Sequence, residues 1–207
     1  MSDDSTAAWP VSLTGVTETI VTTLGPNGLW NAAALGLHAP ACDDVDVDAD
    51  DADDPATARA RTWGNTRTRR NFHRRGEGYV QFVDDPVVFA DAALSIVERE
   101  EPVLESARAW VRVTVEQVDS GTEGGTDWEE WELRPVESRV ESETVPTIDR
   151  GFGAVVEATV AASRLDVDDY DEAALRDRLV YFESVVERAG GQRERLALER
   201  VREHSSW

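Results

Sequence analysis

The chain has 207 residues, of which 41% are hydrophobic and 30% charged, and its mean hydropathy is −0.43. This is enough apolar material for a large domain with a core, which excludes a wholly disordered chain. Acidic residues outnumber basic ones by 42 to 21, so the net charge is −21. Such a surface would repel the phosphate backbone of nucleic acids, which argues against general nucleic-acid binding.

Every one of the 21 basic residues is an arginine, and lysine is absent. A net charge of this size strains a compact fold through self-repulsion in dilute buffer. At about 1 M salt the Debye length falls to about 3 Å, and most of that repulsion is screened. The composition therefore predicts a protein adapted to a salt-loaded cytoplasm.

Cys42 is the only cysteine, which excludes an intrachain disulfide and a thiolate-rich metal site. The acidic start Met1-Ser2-Asp3-Asp4 lacks the apolar stretch of a signal peptide. No window approaches the roughly 20 apolar residues of a membrane span. We therefore expect a soluble, cytoplasmic protein without a bound metal or a membrane partner.

Strand and turn signals begin near the N-terminus. A β-branched run predicts a strand over 17–23, Gly25-Pro26-Asn27-Gly28 is a strong turn signal, and a returning strand over 29–37 completes a β-hairpin. The small side chains over 31–36 would let a ligand approach the backbone closely. Residues 43–54 hold eight Asp, but the Gly and the closing Glu of an EF-hand are missing. They predict a solvated insertion.

Strands and helices alternate through the middle of the chain. In order, the pattern predicts an extended segment over 59–63, a turn over 64–66, a helix over 67–75, a strand over 79–83, a helix from Asp85-Pro86 to about residue 97, a strand over 107–118, a Gly-rich turn over 119–127 and a strand over 128–140. The short connections favour antiparallel pairing of at least five strands.

Helical periodicity dominates after Ile148. One predicted helix places Phe152, Val155, Val156 and Val160 on a single face, a second repeats Leu175, Leu179, Phe182 and Val186 and ends at Gly190-Gly191, and a third covers 196–202. The sequence thus predicts an α+β protein with two parts. Residues 1–150 form a mainly β domain, and 151–207 form a three-helix C-terminal appendage.

The segment 59–75 is the strongest functional signal in the sequence. It holds seven arginines, and no acidic residue occurs between Asp54 and Glu77. A strand-to-helix turn with hydroxyl side chains, free backbone N–H groups and nearby guanidinium groups can form a phosphate cradle. The alternative is that these arginines pair with carboxylates elsewhere in the acidic chain.

Four short motifs occur in a set order: Ile20-Val21-Thr22-Thr23, Asn31-x-Ala33-x-x-Gly36, Thr68-x-x-Asn71-Phe72 and, after the next strand, Asp85-Pro86. This order resembles the flavin-reductase-like split barrel, an antiparallel β-barrel in which a Thr-x-x-Asn segment lies at the phosphate end of bound FMN. A closer resemblance is to an uncharacterised archaeal family of FMN-binding split-barrel proteins (domain of unknown function 447). Its members share the Thr-Glu-x-Ile-Val-Thr-Thr start and the tail motifs Val156-Glu157-Ala158, Ser163-Arg164-Leu165 and Gly190-Gly191.

The resemblance implies non-covalent FMN, usually at a homodimer interface. Carried over residue by residue, Asn31, Ala33 and Gly36 would line the flavin. Thr66, Thr68 and Asn71 would hold the ribityl and phosphate groups, and Arg61 would be a charge partner. The first of these two sets is implied by the resemblance alone, because the residues themselves indicate only a phosphate end.

Other candidate chemistry finds little support. His38, His73 and His204 lack metal-ligand spacing, and neither a nucleophile elbow nor a phosphate-loop lysine is present. Glu18 has either a hydrogen-bonding or a structural role, and Trp30 and Trp63 flank the expected pocket, where they could stack on a flavin. No catalytic residue is identified. The function is thus a flavin-dependent oxidoreductase or a non-enzymatic module that binds FMN or another phosphorylated ligand.

Overall fold

The computed structural model describes residues 8–39 and 57–207, so Cys42 and the aspartate-rich segment 43–54 lie outside the described residues. The elements in chain order are β1 (Val16–Leu24), β2 (Trp30–His38), β3 (Ala58–Trp63), α1 (Arg67–Arg75), β4 (Glu77–Val83), α2 (Pro86–Leu94), β5 (Val97–Arg99), β6 (Ala107–Glu123), β7 (Thr126–Val140), α3 (Arg150–Ala162), α4 (Glu172–Ala189) and α5 (Gln192–Glu203). The short strand β5 was not predicted.

Six strands form a closed barrel. They are hydrogen-bonded in the order β1-β4-β6-β7-β3-β2, the pairing of β1 with β2 completes the ring, and β5 is bonded to β2. The pairings β1–β2, β1–β4, β2–β3, β3–β7 and β6–β7 are antiparallel. The predicted α+β fold, an antiparallel barrel followed by helices, is confirmed.

The barrel core is filled mainly by branched aliphatic side chains that point inward from alternate strand positions. Val21, Val80, Val111, Val113 and Leu133 are fully buried there, and Phe72 of α1 packs against Trp131 of β7 in the same cluster. This packing attaches α1 to the barrel, which is the contact that positions the candidate site.

The outer face of β1 is covered as well. Thr22 donates a hydrogen bond from Oγ1 to the Pro102 carbonyl at 2.6 Å, and Gln81 donates to the same carbonyl at 3.0 Å. The Gln81 amide oxygen accepts from the Leu104 N–H at 2.7 Å. Thr22 and Gln81 can therefore be buried, because their polar atoms have hydrogen-bond partners. For this reason β1 is buried on both faces.

The predicted Gly-rich turn over 119–127 is wrong, because the turn in the structure is much shorter. β6 continues to Glu123 and β7 begins at Thr126, so only Gly124 and Gly125 form the turn. Both glycines have positive φ, 54° and 74°, as a tight two-residue hairpin turn requires. The residues before and after them look like a loop because they are polar and exposed, yet a ladder partner on the neighbouring strand makes them strands.

Helix α2 groups with the C-terminal helices. One compact unit contains the described residues up to Phe82 together with Glu98–Glu143, and the other contains Val83–Val97 and Thr144–Trp207. In this second unit Val87 and Ala90 of α2 pack in one core with residues of α3, α4 and α5. Apolar residues of α2 thus complete the core of the helical unit. The division into 1–150 and 151–207 stays a prediction.

The buried face of α3 differs from the predicted one. Val155 is fully buried as expected, but Phe152, Val156 and Val160 are only partly buried. Small residues fill the interface, namely Ala154, Ala158, Ala161 and Ala162. In α4 the predicted face is confirmed, with Leu175, Leu179 and Val186 buried and Phe182 packed against them.

Candidate functional site

Helix α1 begins and ends at strong local signals. Thr66 caps its N-terminus, where Oγ1 accepts the Arg69 N–H at 3.2 Å. Gly76 ends it in the left-handed conformation, with φ 65°, and donates its N–H to the Phe72 carbonyl at 2.8 Å. The helix has no acidic residue in its first turn. Its predicted span, 67–75, is confirmed.

One side of α1 lines a cleft of about 360 Å³ in the barrel unit. Arg67, Arg70, Asn71 and Arg74 occupy positions i, i+3, i+4 and i+7, which lie on one face of a helix. The turn between β1 and β2 forms another wall of the cleft. The full set of lining residues is Gly25, Pro26, Asn27, Asn31, Arg67, Arg70, Asn71, Arg74 and Glu98.

Two buried asparagines form the inner part of this cleft. Asn71, 3% exposed, donates from Nδ2 to Thr23 Oγ1 at 3.0 Å and accepts the Arg74 Nη1 hydrogen at 2.7 Å through Oδ1. Asn31, 5% exposed, faces Thr23 across the β1–β2 ladder. Thr23 therefore bonds to the Asn71 side chain and pairs with Asn31 in the ladder, so both asparagines lie next to the same residue of β1.

Two guanidinium groups in the cleft have no acidic partner among the described residues. Arg70 donates from Nη1 to the backbone and side-chain oxygens of Asn65, at 2.8 and 3.0 Å. Arg74 contacts the Asn71 amide oxygen. Both bonds are to neutral oxygens, so the positive charges are not neutralised. Such a pair can bind an anion that carries several oxygens, of which a phosphate group is the common biological example.

Four arginines of the segment, Arg59, Arg61, Arg67 and Arg69, pair with carboxylates, so the alternative interpretation is correct for part of the segment. Arg69 of α1 contacts the buried carboxylate of Glu129 at 2.6 Å. Arg61 on β3 contacts Glu130 of β7 at 2.8 Å, and its guanidinium carbon lies 4.1 Å from the centroid of the Trp128 ring. On the same two strands, Arg59 contacts Glu132 at 3.2 Å. The arginine-rich segment therefore has a structural side and a cleft side.

The predicted site residues fall into two groups. Asn31 and Asn71 come together in the cleft, while Thr66 and Thr68 lie in the cap and the first turn of α1 beside it. Ala33 and Gly36 lie further along β2 and do not line the cleft. A Cβ atom on Gly36 would lie 3.0 Å from Val16 Cγ1, so the small residue is needed there for packing. Arg61 lies on β3 with the partners described above.

The aromatic residues expected to flank the pocket pack elsewhere. Trp30 makes an edge contact with the Tyr79 ring, with 5.4 Å between the centroids. Trp63 is exposed and lies 5.9 Å from the Arg61 guanidinium carbon. Glu18 faces Gly36 across the β1–β2 ladder. None of these three residues lines the cleft described above.

The sequence analysis did not single out Arg70, Arg74, Glu98 or the 25–27 turn as site residues. The i, i+3, i+4, i+7 spacing from Arg67 to Arg74 was a usable signal, because it places three arginines and Asn71 on one helical face. No local signal marks Glu98, since it reaches the cleft only through the pairing of β5 with β2.

Two of the three histidines, His73 and His204, pair with carboxylates on different elements. His73 contacts Glu129 at 2.8 Å and His204 contacts Asp91 at 3.1 Å. Across residues 8–39 and 57–207, no three His, Cys, Asp or Glu side chains are arranged to hold a metal ion. In the same residues no helix combines the length and the apolar character needed to cross a membrane.

Comparison with solved structures gives the same fold. The chain is similar to an FMN-bound DUF447 protein from Methanosarcina mazei, with a TM-score of 0.74 and 22% identity over 93% of this chain and 96% of that chain. It is also similar to the styrene monooxygenase flavin reductase of Pseudomonas putida S12, with a TM-score of 0.44 and 11% identity over 64% of this chain and 93% of that chain. For the flavoredoxin of Methanosarcina acetivorans the TM-score is 0.45 and the identity 10%, over 67% of this chain and 78% of that chain.

Sequence comparison gives the family. The model described as "Protein of unknown function (DUF447) N-terminal domain" matches residues 17–142. The model described as "Protein of unknown function (DUF447)" matches residues 149–203. These two matches include the strands of the barrel, the arginine-rich helix and helices α3 to α5, and they confirm the resemblance stated from the motifs. Because they cover most of the chain, the protein belongs to the DUF447 family.

Proposed function

We propose that this protein binds FMN non-covalently and that the cleft beside α1 holds the phosphate group. The observation that carries the proposal is the pair Arg70 and Arg74, two guanidinium groups that contact no carboxylate among the described residues of a chain with net charge −21. The bound FMN of the DUF447 protein from Methanosarcina mazei supports the choice of ligand.

The local sequence of α1 also favours an anion at this place. Cations in the first turn of a helix are unfavourable, because the N-terminus of the helix dipole is positive. Arg67, Arg69 and Arg70 all lie in the first four residues of α1, whose first turn holds no acidic residue. Glu98 of β5 and Glu129 of β7 pair with Arg67 and Arg69, so Arg70 is the one of the three without an acidic partner among the described residues. A phosphate near Thr66 would accept hydrogen bonds and relieve this repulsion. Sequences break such local rules mainly at functional sites.

The proposed roles extend those implied by the family resemblance. Asn71 presents a side chain held by Thr23, Asn31 lies beside it in the cleft, and Thr66 and Thr68 have hydroxyl groups at the start of α1. The resemblance assigns Ala33 and Gly36 to the lining of the ring system. Bound FMN supplies hydride or electron chemistry, and the chain contributes orientation and electrostatics.

We propose in addition that the FMN-loaded protein is a flavin-dependent oxidoreductase. The test is oxidation of NADH or NADPH by the FMN-loaded protein in molar KCl, followed at 340 nm. Turnover above that of free FMN supports an enzyme. The absence of turnover with either nicotinamide supports the alternative, a module that binds FMN without catalysing its reduction.

We also propose that the protein is a homodimer in the cytoplasm. The support is geometric: Ala33, Ala34 and Gly36 are only partly buried in the single chain, so a flavin lying along β2 would keep one side uncovered. A second subunit would supply the missing wall. Light scattering of the FMN-loaded protein in molar KCl should give twice the chain mass of 22.8 kDa. A monomer with FMN bound would contradict the dimer.

The phosphate site is tested by titrating FMN and riboflavin against Arg70→Gln/Arg74→Gln. Each charge-assisted hydrogen bond is worth roughly 1.5–3 kcal/mol, so loss of two should weaken FMN binding by about two to four decades. Riboflavin lacks the phosphate and should bind with nearly unchanged affinity. Molar KCl in the titration screens nonspecific attraction.

Arg75→Gln is the matched control, because Arg75 is exposed on the same helix, loses the same charge and does not line the cleft. It should leave FMN affinity within a few-fold of the wild type. A separate Arg61→Gln variant tests the role that the resemblance assigns to Arg61. If the double variant weakens both ligands equally, or neither, the cleft is not the phosphate site.

A further inference from the structure

One acidic side chain lines the otherwise basic cleft. Glu98, on the short strand β5, accepts two hydrogen bonds at the same oxygen, Oε1. One donor is Asn27 Nδ2 at 3.1 Å, and the other is Nη1 of Arg67, the first residue of α1. Both donors also line the cleft. The carboxylate therefore joins the β1–β2 turn to α1 from within the candidate site.

The two donors are of the kind that binds phosphate oxygens. The Asn27 amide is held by its own turn, where Oδ1 accepts the Leu29 N–H at 3.2 Å and the Gly25 N–H donates to the Leu29 carbonyl at 2.8 Å. This leaves Nδ2 directed at Glu98. Arg67 is the only cleft arginine that pairs with a carboxylate among the described residues, since Arg70 and Arg74 contact neutral oxygens.

We propose that Glu98 limits the affinity of the cleft for phosphate, because its carboxylate competes with the ligand phosphate for Arg67 and Asn27. In the free protein its carboxylate takes the place of one phosphate oxygen. A dianionic phosphate monoester, attracted also by Arg70 and Arg74, displaces it, whereas a ligand without a phosphate does not. The inference rests on the proposed function, because the competing ligand is the phosphate group of FMN.

A purely supporting role for Glu98 predicts the opposite effect. If the carboxylate only held Arg67 and Asn27 in position for the ligand, its loss would weaken phosphate binding. If it competes, its loss strengthens binding. The Glu98→Gln substitution separates the two, because glutamine has the same shape, keeps one acceptor oxygen and removes the charge, with an NH2 group in place of the second oxygen.

The experiment measures Kd values of FMN and riboflavin for the wild type and Glu98→Gln, with inorganic phosphate as a competitor of FMN. It uses the lowest KCl concentration at which every variant is folded by circular dichroism. Glu98→Gln should bind FMN about 3- to 10-fold more tightly, a small gain because the ion pair it removes is half-exposed. Inorganic phosphate should compete more effectively by a similar factor, and riboflavin affinity should not change.

Two further variants make the result specific. Glu101→Gln removes the same charge from an exposed residue near β5 that does not line the cleft, so it should leave FMN affinity unchanged. In an Arg67→Gln background the gain from Glu98→Gln should shrink, because only competition for Asn27 is left. An undiminished gain there, or a gain equal to that of Glu101→Gln, means general charge repulsion and overturns the proposal.

Failure of this inference is distinguishable from failure of the proposed function. If wild-type FMN affinity depends on Arg70 and Arg74 but Glu98→Gln weakens it or does not alter it, only the competition is wrong. If the wild type binds FMN no more tightly than riboflavin, and inorganic phosphate does not compete, the phosphate site itself is wrong, and the competition with it.

Discussion

Glu129 is a buried carboxylate, 6% exposed, that contacts the side chains of Arg69 and His73 on α1. Its Oε1 accepts from Arg69 Nη2 at 2.6 Å and its Oε2 contacts His73 Nε2 at 2.8 Å. Arg69 also donates to the Gly64 carbonyl at 3.2 Å. These contacts lie on the side of α1 away from Arg70 and Arg74, so they fix the rotation of the helix that presents those arginines to the cleft.

Glu129→Gln should therefore destabilise the barrel unit. The Glu129 carboxylate is buried and contacts both Arg69 and His73. Removing its charge should lower the free energy of unfolding by about 1–3 kcal/mol. The neighbouring Glu130→Gln is the control, because its ion pair with Arg61 is half-exposed and worth about 1 kcal/mol or less. Denaturant unfolding in molar KCl measures both. Equal effects of the two substitutions would contradict the anchoring role of Glu129.

Tyr79 lies on the outside of the barrel between two tryptophan rings. The centroids of Trp30 and Trp110 are 5.4 and 5.7 Å from that of the Tyr79 ring. Burial raises the pKa of Tyr79 above the ordinary value of 10.0, Arg112 opposes the rise, and nearby carboxylates add to it. The neutral phenol is therefore favoured in the folded protein.

This raised pKa gives a pH dependence of stability with a defined sign. The contribution of Tyr79 is fully present below pH 10.0, the ordinary value that we take for the unfolded chain, and is lost as the pH rises through the raised pKa of the folded protein. In Tyr79→Phe the free energy of unfolding should thus fall less between about pH 10 and 12 than in the wild type. Denaturant unfolding at a series of pH values tests this. Parallel curves for the two proteins would refute the effect.

At the scale of the elements, the start of α3 lies close to Gly190 because Gly151 has no side chain. A Cβ atom on Gly151 would lie 2.7 Å from the Gly190 Cα and 3.0 Å from Glu194 Cγ. Two residues along the same helix, a Cβ atom on Gly153 would meet nothing within 4 Å. The two glycines therefore differ in function although they look alike in the sequence.

Gly151→Ala and Gly153→Ala should change stability in opposite directions. Gly151→Ala forces backbone apart in the helical unit and should lower the free energy of unfolding by about 1–3 kcal/mol. Gly153→Ala, at an exposed position of α3, reduces the entropy of the unfolded chain. It should raise the free energy of unfolding by roughly 0.5–1 kcal/mol. Denaturant unfolding of each variant is the measurement. A stabilising Gly151→Ala would show that α3 does not approach Gly190 this closely.

At the scale of the whole molecule, charge is the dominant property. The 42 acidic residues exceed the 21 arginines by a factor of two, so ion pairing can neutralise at most half of them. Many of the observed pairs are also half-exposed, such as Arg59–Glu132 and Arg112–Glu137. Exposed pairs contribute little. The unpaired negative charge must be screened by the solvent.

The melting temperature should consequently rise between 0.1 and 1 M KCl. The Debye length falls from about 10 Å to about 3 Å over this range, which removes most of the repulsion among surface carboxylates. A gain of about 1 kcal/mol corresponds to about 2–4 °C for a chain of this size, and we expect at least that. NaCl at the same ionic strength should raise the melting temperature by the same amount as KCl. A melting temperature independent of salt would contradict adaptation to a salt-rich cytoplasm.

Local signals were sufficient for much of the fold. The span of α1 follows from Thr66 and Gly76, which cap it through bonds within four residues. The β1–β2 hairpin follows from the 25–28 turn. The prediction failed where a distant partner decides the structure: the polar ends of β6 and β7 become strands because they pair with each other, and the alanine face of α3 is buried because neighbouring helices approach it closely.

For the candidate site too, some features follow from the sequence and others depend on distant contacts. The sequence by itself determined the family motifs, the excess of acid and the cluster of arginines over 59–75, because these are properties of the chain read in order. Only the tertiary structure decided which arginines pair with a carboxylate. The carboxylates that pair with Arg59, Arg61 and Arg69 come from β7, about 60 to 73 residues away. Those of Arg59 and Arg61 lie across the β3–β7 ladder, and Arg69 reaches Glu129 from α1. Among the described residues no carboxylate contacts Arg70 or Arg74, because their side of α1 faces the β1–β2 turn, where the one acidic residue that lines the cleft is Glu98.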